Sequence, residues 1–221
     1  MKIKNKKALK IFLSFLGVIL IVAAIFLIRI LSLTTPTSGD AIIKYNDSKS
    51  ALLVIDMQND TTGENTFYGD TTEFIDKVNQ SVDIAKKKSM EIIYIKQEYK
   101  NNPLDLLIST GKYKAGTEGV QLDSRLQVVN KNIFTKVKSD AFSSADLENY
   151  LISKQIDTIY IVGADASACV YKTALGGINR NYKVLVVEDS IISLSDEIIE
   201  KMLNEYSANG IDVTNLKQFN K

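Results

Sequence analysis

Asp157-Thr-Ile-Tyr-Ile-Val-Gly-Ala-Asp-Ala-Ser-Ala-Cys169 joins an apolar, β-branched run to a glycine and then to a thiol. Residues 157–162 read as a strand, and the stretch from Cys169 to Arg180 reads as the helix after it. The same alternation extends in both directions. Ala51-Leu-Leu-Val-Ile55 is a continuous apolar run ending in Asp56, as in a strand covered on both faces. Residues 71–88 carry Phe74, Val78, Val82 and Ala85 at helical spacing, and Glu91–Ile95 is the next strand. A Gly- and Lys-rich loop covers Asn101 to Gln121, and Asn132–Lys136 reads as a third strand. A helix over 144–154, a strand over 182–187, a helix over 195–207 and a weak strand over 211–214 complete the series. Strands alternating with helices imply parallel pairing through right-handed crossovers, hence a Rossmann-like, doubly wound α/β domain. Sites in such sheets lie beyond the carboxyl ends of the strands. That rule selects Asp56, Lys136 and the turn from Gly163 to Cys169.

The charges of the 221 residues, 27 Lys+Arg against 26 Asp+Glu, are unevenly spread. Residues 1–29 hold six basic groups and no acid, leaving a net of −5 from residue 30 onward. The body lacks the basic excess that phosphate neutralisation requires, which argues against a nucleic-acid partner. No G-x-G-x-x-G comes after the first strand and no P-loop is present, so nucleotide binding has no support. The leader divides into a basic cytoplasmic tail, 1–10, and an apolar segment, 11–33, interrupted by Arg29. That segment spans roughly 30 Å as a helix, enough for a bilayer core and longer than a signal-peptide apolar region. It reads as an uncleaved signal-anchor helix. Its flanking lysines place the N-terminus in the cytoplasm and the body outside a cell membrane that is crossed once. Residues 34–49 read as a linker, and 50–221 as one domain with a sizeable core.

The chain has no histidine and one cysteine, Cys169. A Ser-His-Asp triad, a His-bound metal and an intramolecular disulfide are therefore excluded, and carboxylates, lysines, hydroxyls and one thiol remain. A lone cysteine is ordinarily an inert small hydrophobe. Between a strand and a helix, however, it meets the positive end of the helix dipole, which lowers a thiol's pKa, and free N–H groups that can hold an oxyanion. Asp56 is either a turn residue or a general base. Lys136 can supply a neighbouring positive charge. Lys138, two positions on, shares its face, and periodicity does not choose between them.

At these residues the chain resembles the isochorismatase-like hydrolases, also called cysteine hydrolases, which include nicotinamidases and N-carbamoylsarcosine amidases. Leu53-Val-Ile-Asp56-Met-Gln-Asn-Asp60 is similar to the family's first-strand motif, and Ala115-Gly-Thr-Glu-Gly119 to its Gly-Thr-x-Gly loop. Thr135-Lys136-Val-Lys-Ser-Asp-Ala-Phe142 resembles the lysine motif. Ile161-Val-Gly163 through Cys169-Val170 and Thr173-Ala174 resembles the cysteine motif, and Val186-Val-Glu-Asp189 the strand after it. The resemblance implies a catalytic set of Asp56, Lys136 and Cys169, with Lys136 preferred by its spacing from Phe142. It also implies a cis peptide at Ala164–Asp165 and an oxyanion held by the backbone N–H groups of Asp165 and Cys169. Gln58, Gln97 and Phe142 are the substrate-pocket candidates.

The activity implied by the resemblance is hydrolysis of a C–N bond in a small amide or carbamoyl compound through a thioester, with no metal and no cofactor. The alternatives are an isochorismatase-type ether hydrolase and a non-catalytic, membrane-tethered binding protein of the same fold. Family members commonly associate, which leaves a homo-oligomer open, and the sequence does not fix the oligomeric state. The chain departs from the family in Thr61, in Gly176-Gly177 where Asp-Ala is frequent, and in Asp165, a carboxylate at the oxyanion turn.

Overall fold

A computed structural model of the chain describes residues 2–64, 66–100 and 102–221. Met1 of the basic tail and Asn101, the first residue of the expected loop, lie outside the described residues. The chain forms two units, residues 1–33 and 34–221.

The first unit is helical. Helix α1 runs over Lys2–Thr34, so the basic tail and the apolar segment form one element. From Ala8 to Thr34 it is long and apolar enough to cross a membrane. Most of its described apolar side chains, Phe12, Phe15 and Val22 among them, are exposed, whereas Leu33 near its end is buried.

In the second unit, β1 (Lys49–Ile55), β2 (Glu91–Gln97), β3 (Ile133–Lys136), β4 (Ile156–Ala164), β5 (Lys183–Ile192) and β6 (Asp212–Thr214) form one sheet. Its order is β3-β2-β1-β4-β5-β6. All five pairings are parallel. The chain winds outward from β1 in one direction and from β4 in the other, so the order reverses between these two central strands. Ligands bind at such a crevice.

The apolar run of β1 serves two cores, because successive side chains leave a strand on opposite faces. Leu53 and Ile55 join Leu147, Val170, Ala174, Met202 and Tyr206 on one side. Leu52 and Val54 join Phe74, Val78, Val82 and Phe219 on the other. The first side is covered by α5 (Ala145–Ser153), α6 (Cys169–Ile178) and α7 (Asp196–Ala208). The second is covered by α3 (Thr72–Lys87) and α8 (Leu216–Phe219). This is the expected doubly wound fold.

Some elements exceed the expectation. The 101–121 segment contains a helix, α4 (Pro103–Ile108), with Pro103 in its first turn and the Asn102 side chain accepting from Leu104 N at 3.0 Å. Another short helix, α2 (Asn59–Thr62), comes after β1. Neither has enough residues to show a periodicity. Strand β5 runs over Lys183–Ile192, five residues past Val187, where the sequence reading ends it.

The linker is also ordered near its start. Thr37 donates its N–H and hydroxyl to Asp140 Oδ2 at 2.7 and 2.6 Å. Arg180 donates to the carbonyls of Thr37 and Ser38 while its Nε bonds Glu148 at 2.7 Å. Asp140 and Arg180 are buried, and Gly176 leaves the space that the Asp140 carboxylate fills. Burial pushes the Asp140 carboxyl up, and its bonds to Thr37 pull it back.

At Gly163 the pairing of β4 with β5 shifts register while β4 still lies against Ile55 of β1. Its φ of 116° suits glycine, and a Cβ there would run into the Ile55 carbonyl oxygen. Gly163→Ala is expected to lower stability by roughly 3 kcal/mol through strain and steric overlap. Equilibrium urea unfolding measures it, and a midpoint equal to wild type would contradict the overlap.

Candidate active site

Three strand ends supply the site. At the end of β1, Asp56 turns the chain with φ 52°, a left-handed conformation that aspartate tolerates better than most residues. Its N–H bonds Ile95 O of β2 at 2.9 Å, and its side chain is buried. Lys136 ends β3, two strands away in the sheet order. With adjacent strands about 4.8 Å apart, a long side chain is needed to reach back across β2.

The Lys136 ammonium has no exposed surface and is held by four oxygen and sulfur atoms. It lies 2.9 Å from Asp56 Oδ2, 2.5 Å from Gln97 Oε1, 3.2 Å from Lys138 O and 3.2 Å from Cys169 Sγ. Burial disfavours its charge, but the Asp56 carboxylate and Cys169 outweigh burial and raise its pKa. Lys136 therefore stays cationic. Lys138 contributes a carbonyl oxygen, which separates the two lysines that strand periodicity left equivalent.

Cys169 opens α6 and is partly exposed. Burial pushes its thiol up to about 12, against the pull of Lys136 and with a further push from Asp56. This reverses the lowered pKa expected from the helix terminus. Removing the sulfur from water costs more than the nearby positive charge returns, because Asp56 already uses that charge. The resting thiol is protonated and accepts from Lys136 Nζ at 3.2 Å.

A cis peptide joins Ala164 to Asp165. The carbonyl of Asp165 accepts from Ala168 N and Val170 N, each at 3.1 Å. The N–H groups of Asp165 and Cys169 have no partner among the described residues, so they remain available to an acceptor. The Asp165 side chain accepts from Ser167 N at 2.7 Å, Ser167 Oγ at 2.6 Å and Tyr68 OH at 3.3 Å.

The three pocket candidates have different surroundings. Gln97 stands against Lys136, and its Nε2 is buried without a partner. Gln58 is fully buried, with its amide spent on Gln97 O, Gln97 N and Val120 O at 3.0, 2.7 and 2.9 Å. It ties the end of β2 to the loop. Phe142 is in the core, 5.5 Å from the Tyr182 ring and under the Arg180 guanidinium at 4.8 Å.

Sequence reading did not identify three phenols: Tyr68, Tyr99 and Tyr113. Burial raises the pKa of each, and charges at Asp165, Asp56, Cys169 and Lys136 act on them, which places all three near the triad. Tyr99 was legible in principle, lying two residues beyond Gln97 and so on the same side of the chain. Tyr113 is brought in by the loop, through Tyr99 N donating to Tyr113 O at 2.7 Å and Tyr113 N to Asp60 Oδ2 at 2.6 Å. No local pattern announces such long-range contacts. Among the described residues no group of three or more His, Cys, Asp or Glu is arranged to hold a metal.

With the thiol held protonated, alkylation of Cys169 by iodoacetamide should keep accelerating from pH 7 past pH 10 without a plateau. A plateau near pH 8.5, the ordinary cysteine value, would show that burial does not dominate.

Residues 50–218 match the family model described as the isochorismatase domain. The chain is 25% identical over 128 residues to N-carbamoylsarcosine amidase of Arthrobacter sp, covering 53% of this chain and 47% of that protein. It is 35% identical over 74 residues to the nicotinamidase of Saccharomyces cerevisiae, covering 33% of this chain and 34% of that protein. These matches thus span half or less of the two amidases. The structure of nicotinamidase PncA from Bacillus subtilis superposes with a TM-score of 0.67 at 24% identity, covering 76% of this chain and all of that one.

Proposed function

Because the chain belongs to the isochorismatase family, we propose that it is a cysteine hydrolase that cleaves the C–N bond of a small amide or carbamoyl compound through a thioester. The observation that carries this reading is the placement of Lys136 Nζ 2.9 Å from Asp56 Oδ2 and 3.2 Å from Cys169 Sγ. A base, a cation and a nucleophile thus share one buried point.

Burial of the thiol, which disfavours its charged form, supports a particular order of events. A free thiolate is costly, so the proton moves from Sγ to Asp56 as sulfur attacks the substrate carbonyl. The charge passes to the carbonyl oxygen, where the unpartnered N–H groups of Asp165 and Cys169 receive it. Asp56 then gives the proton to the departing nitrogen, which leaves as ammonia or an amine. Water attacks the thioester with Asp56 again accepting a proton, the acid departs and the thiol is restored. Lys136 remains charged throughout and offsets whichever neighbour is anionic. A thiol in contact with the ammonium that Asp56 pairs favours this chemistry over ether hydrolysis, which needs no sulfur nucleophile. It likewise favours catalysis over a binding-only role. Cys169→Ala should lower ammonia release from a panel of small amides by about 10³-fold or more while the domain stays folded. Full activity in that variant would remove the covalent mechanism.

The hydrolase also has a location on this reading. Residues 11–33 anchor the chain in a membrane, with the basic tail 1–10 cytoplasmic, the linker 34–49 beyond it, and the catalytic domain 50–221 extracytoplasmic. The apolar helix and its basic flank support this. Deletion of residues 1–33 should move the protein from the membrane pellet to the soluble fraction. Recovery of the intact chain as a soluble protein would contradict the anchor.

A further inference from the structure

Charge is the property of the site that the triad leaves unexplained. Asp56 and Lys136 cancel in an ion pair at 2.9 Å. Lys112 Nζ donates to the backbone carbonyl of Asp60 at 3.1 Å and lies 4.2 Å from the centre of the Phe67 ring, so neutral groups hold it. Lys138 reaches the site with its carbonyl oxygen.

Asp165 is different. Its peptide N–H is one of the two available to the oxyanion, yet its own carboxylate has no cation within ion-pair distance among the described residues. Its donors are neutral: the Ser167 N–H and hydroxyl and the Tyr68 phenol. The Tyr68 bond, at 3.3 Å, is longer than the ordinary O–H···O range of about 2.5–3.0 Å. Oδ2 is thus underused and open to a better donor. The N-terminus of α6 offsets only about half a charge. The remaining field at the turn is negative.

The other groups agree with that sign. Tyr68, Tyr99 and Tyr113 stay neutral, and phenol rings present a negative face to a cation. Gln97 Nε2, on a residue 2% exposed, is a buried donor without a partner; its orientation is set by the Lys136 bond to Oε1. An incoming molecule therefore meets one neutral donor, an aromatic rim and an unpaired carboxylate. A substrate carboxylate would meet a like charge at Asp165, whereas an ammonium would replace the weak Tyr68 bond with a charge-assisted one.

The geometry points to a site that selects small amides bearing a cationic group and rejects amides bearing a carboxylate, with Asp165 as the specificity-determining side chain. This rests on the amidase reading, so one arm of the test needs no turnover. Cys169 is the single thiol of the chain. It is titrated with 2-(trimethylammonio)ethyl methanethiosulfonate and with the 2-sulfonatoethyl reagent, each of which forms a mixed disulfide and releases methanesulfinate. Relative to free 2-mercaptoethanol, the cation-to-anion rate ratio should be raised by roughly tenfold or more. Asp165→Asn should bring it back to within about threefold of the free thiol. Tyr68→Phe, which keeps the carboxylate and removes its weak donor, should preserve or increase the ratio.

The second arm compares kcat/KM for β-alaninamide, butyramide and succinamate, which are cationic, neutral and anionic amides of similar length. The expected order is cation, neutral, anion, with the spread narrowing in Asp165→Asn. Charge-selective labelling without hydrolysis of any amide would overturn the amidase reading and leave the selectivity standing. Hydrolysis without charge preference, or a labelling ratio that Asp165→Asn does not change, would overturn the selectivity. A ratio that collapses in Tyr68→Phe would do the same.

Discussion

A lysine ammonium with no exposed surface can exist only if its charge is matched, and the candidate site is organised around that requirement. Lys136 is matched by Asp56 Oδ2 at 2.9 Å, Gln97 Oε1 at 2.5 Å and a backbone carbonyl at 3.2 Å. These contacts draw together the carboxyl ends of β1, β2 and β3. Breaking one side of such a buried pair leaves an uncompensated charge, typically a loss of about 3–5 kcal/mol. The same arrangement explains the protonated thiol. Because Asp56 already neutralises Lys136, too little positive charge remains to hold a thiolate at 3.2 Å. Stability of the pair and reactivity of the sulfur are thus two consequences of one contact.

The surroundings of the triad divide into support and rim. Gln58 spends its amide on the backbone at Gln97 and Val120 and so holds the segment that carries Gln97. Asp60 occupies the space that Gly119 leaves open and takes the N–H of Tyr113, fixing the loop above the site. Phe142, four residues past Lys138, anchors its turn in the core between Tyr182 and Arg180. These residues hold the site without facing it. The residues that confer character on the rim are the phenols and Asp165.

Legibility in the sequence tracked the range of the interactions. The apolar runs at 51–55, 91–95 and 157–162 are legible because two-sided burial makes a strand uniformly apolar, whatever its partners. Helix α3 is legible because its buried positions repeat within sixteen residues. The short helices α2 and α4 are too brief for periodicity and depend on capping and neighbouring contacts. Strand β5 runs through Glu188 and Asp189, and the Asp189 carboxylate accepts Leu216 N at 2.7 Å, a partner 27 residues away. Docking of Thr37 on Asp140 bridges 103 residues, so a polar stretch that reads as free linker is ordered at that point.

By itself the sequence determined the parallel α/β class, the apolar leader and the strand-end candidates: Asp56, Cys169 and a lysine at 136 or 138. Each is written in local terms: strand burial, segment length, or a polar residue where an apolar run stops. Tertiary structure alone decided which lysine ammonium enters the site and that the thiol is protonated at rest. It also decided that Phe142 packs in the core and that Tyr68, Tyr99 and Tyr113 stand near the sulfur. Charge state and pocket lining depend on what surrounds a group in three dimensions. A thiol beside a helix terminus and a lysine looks activated in one dimension, and is held neutral once burial and a competing carboxylate are counted.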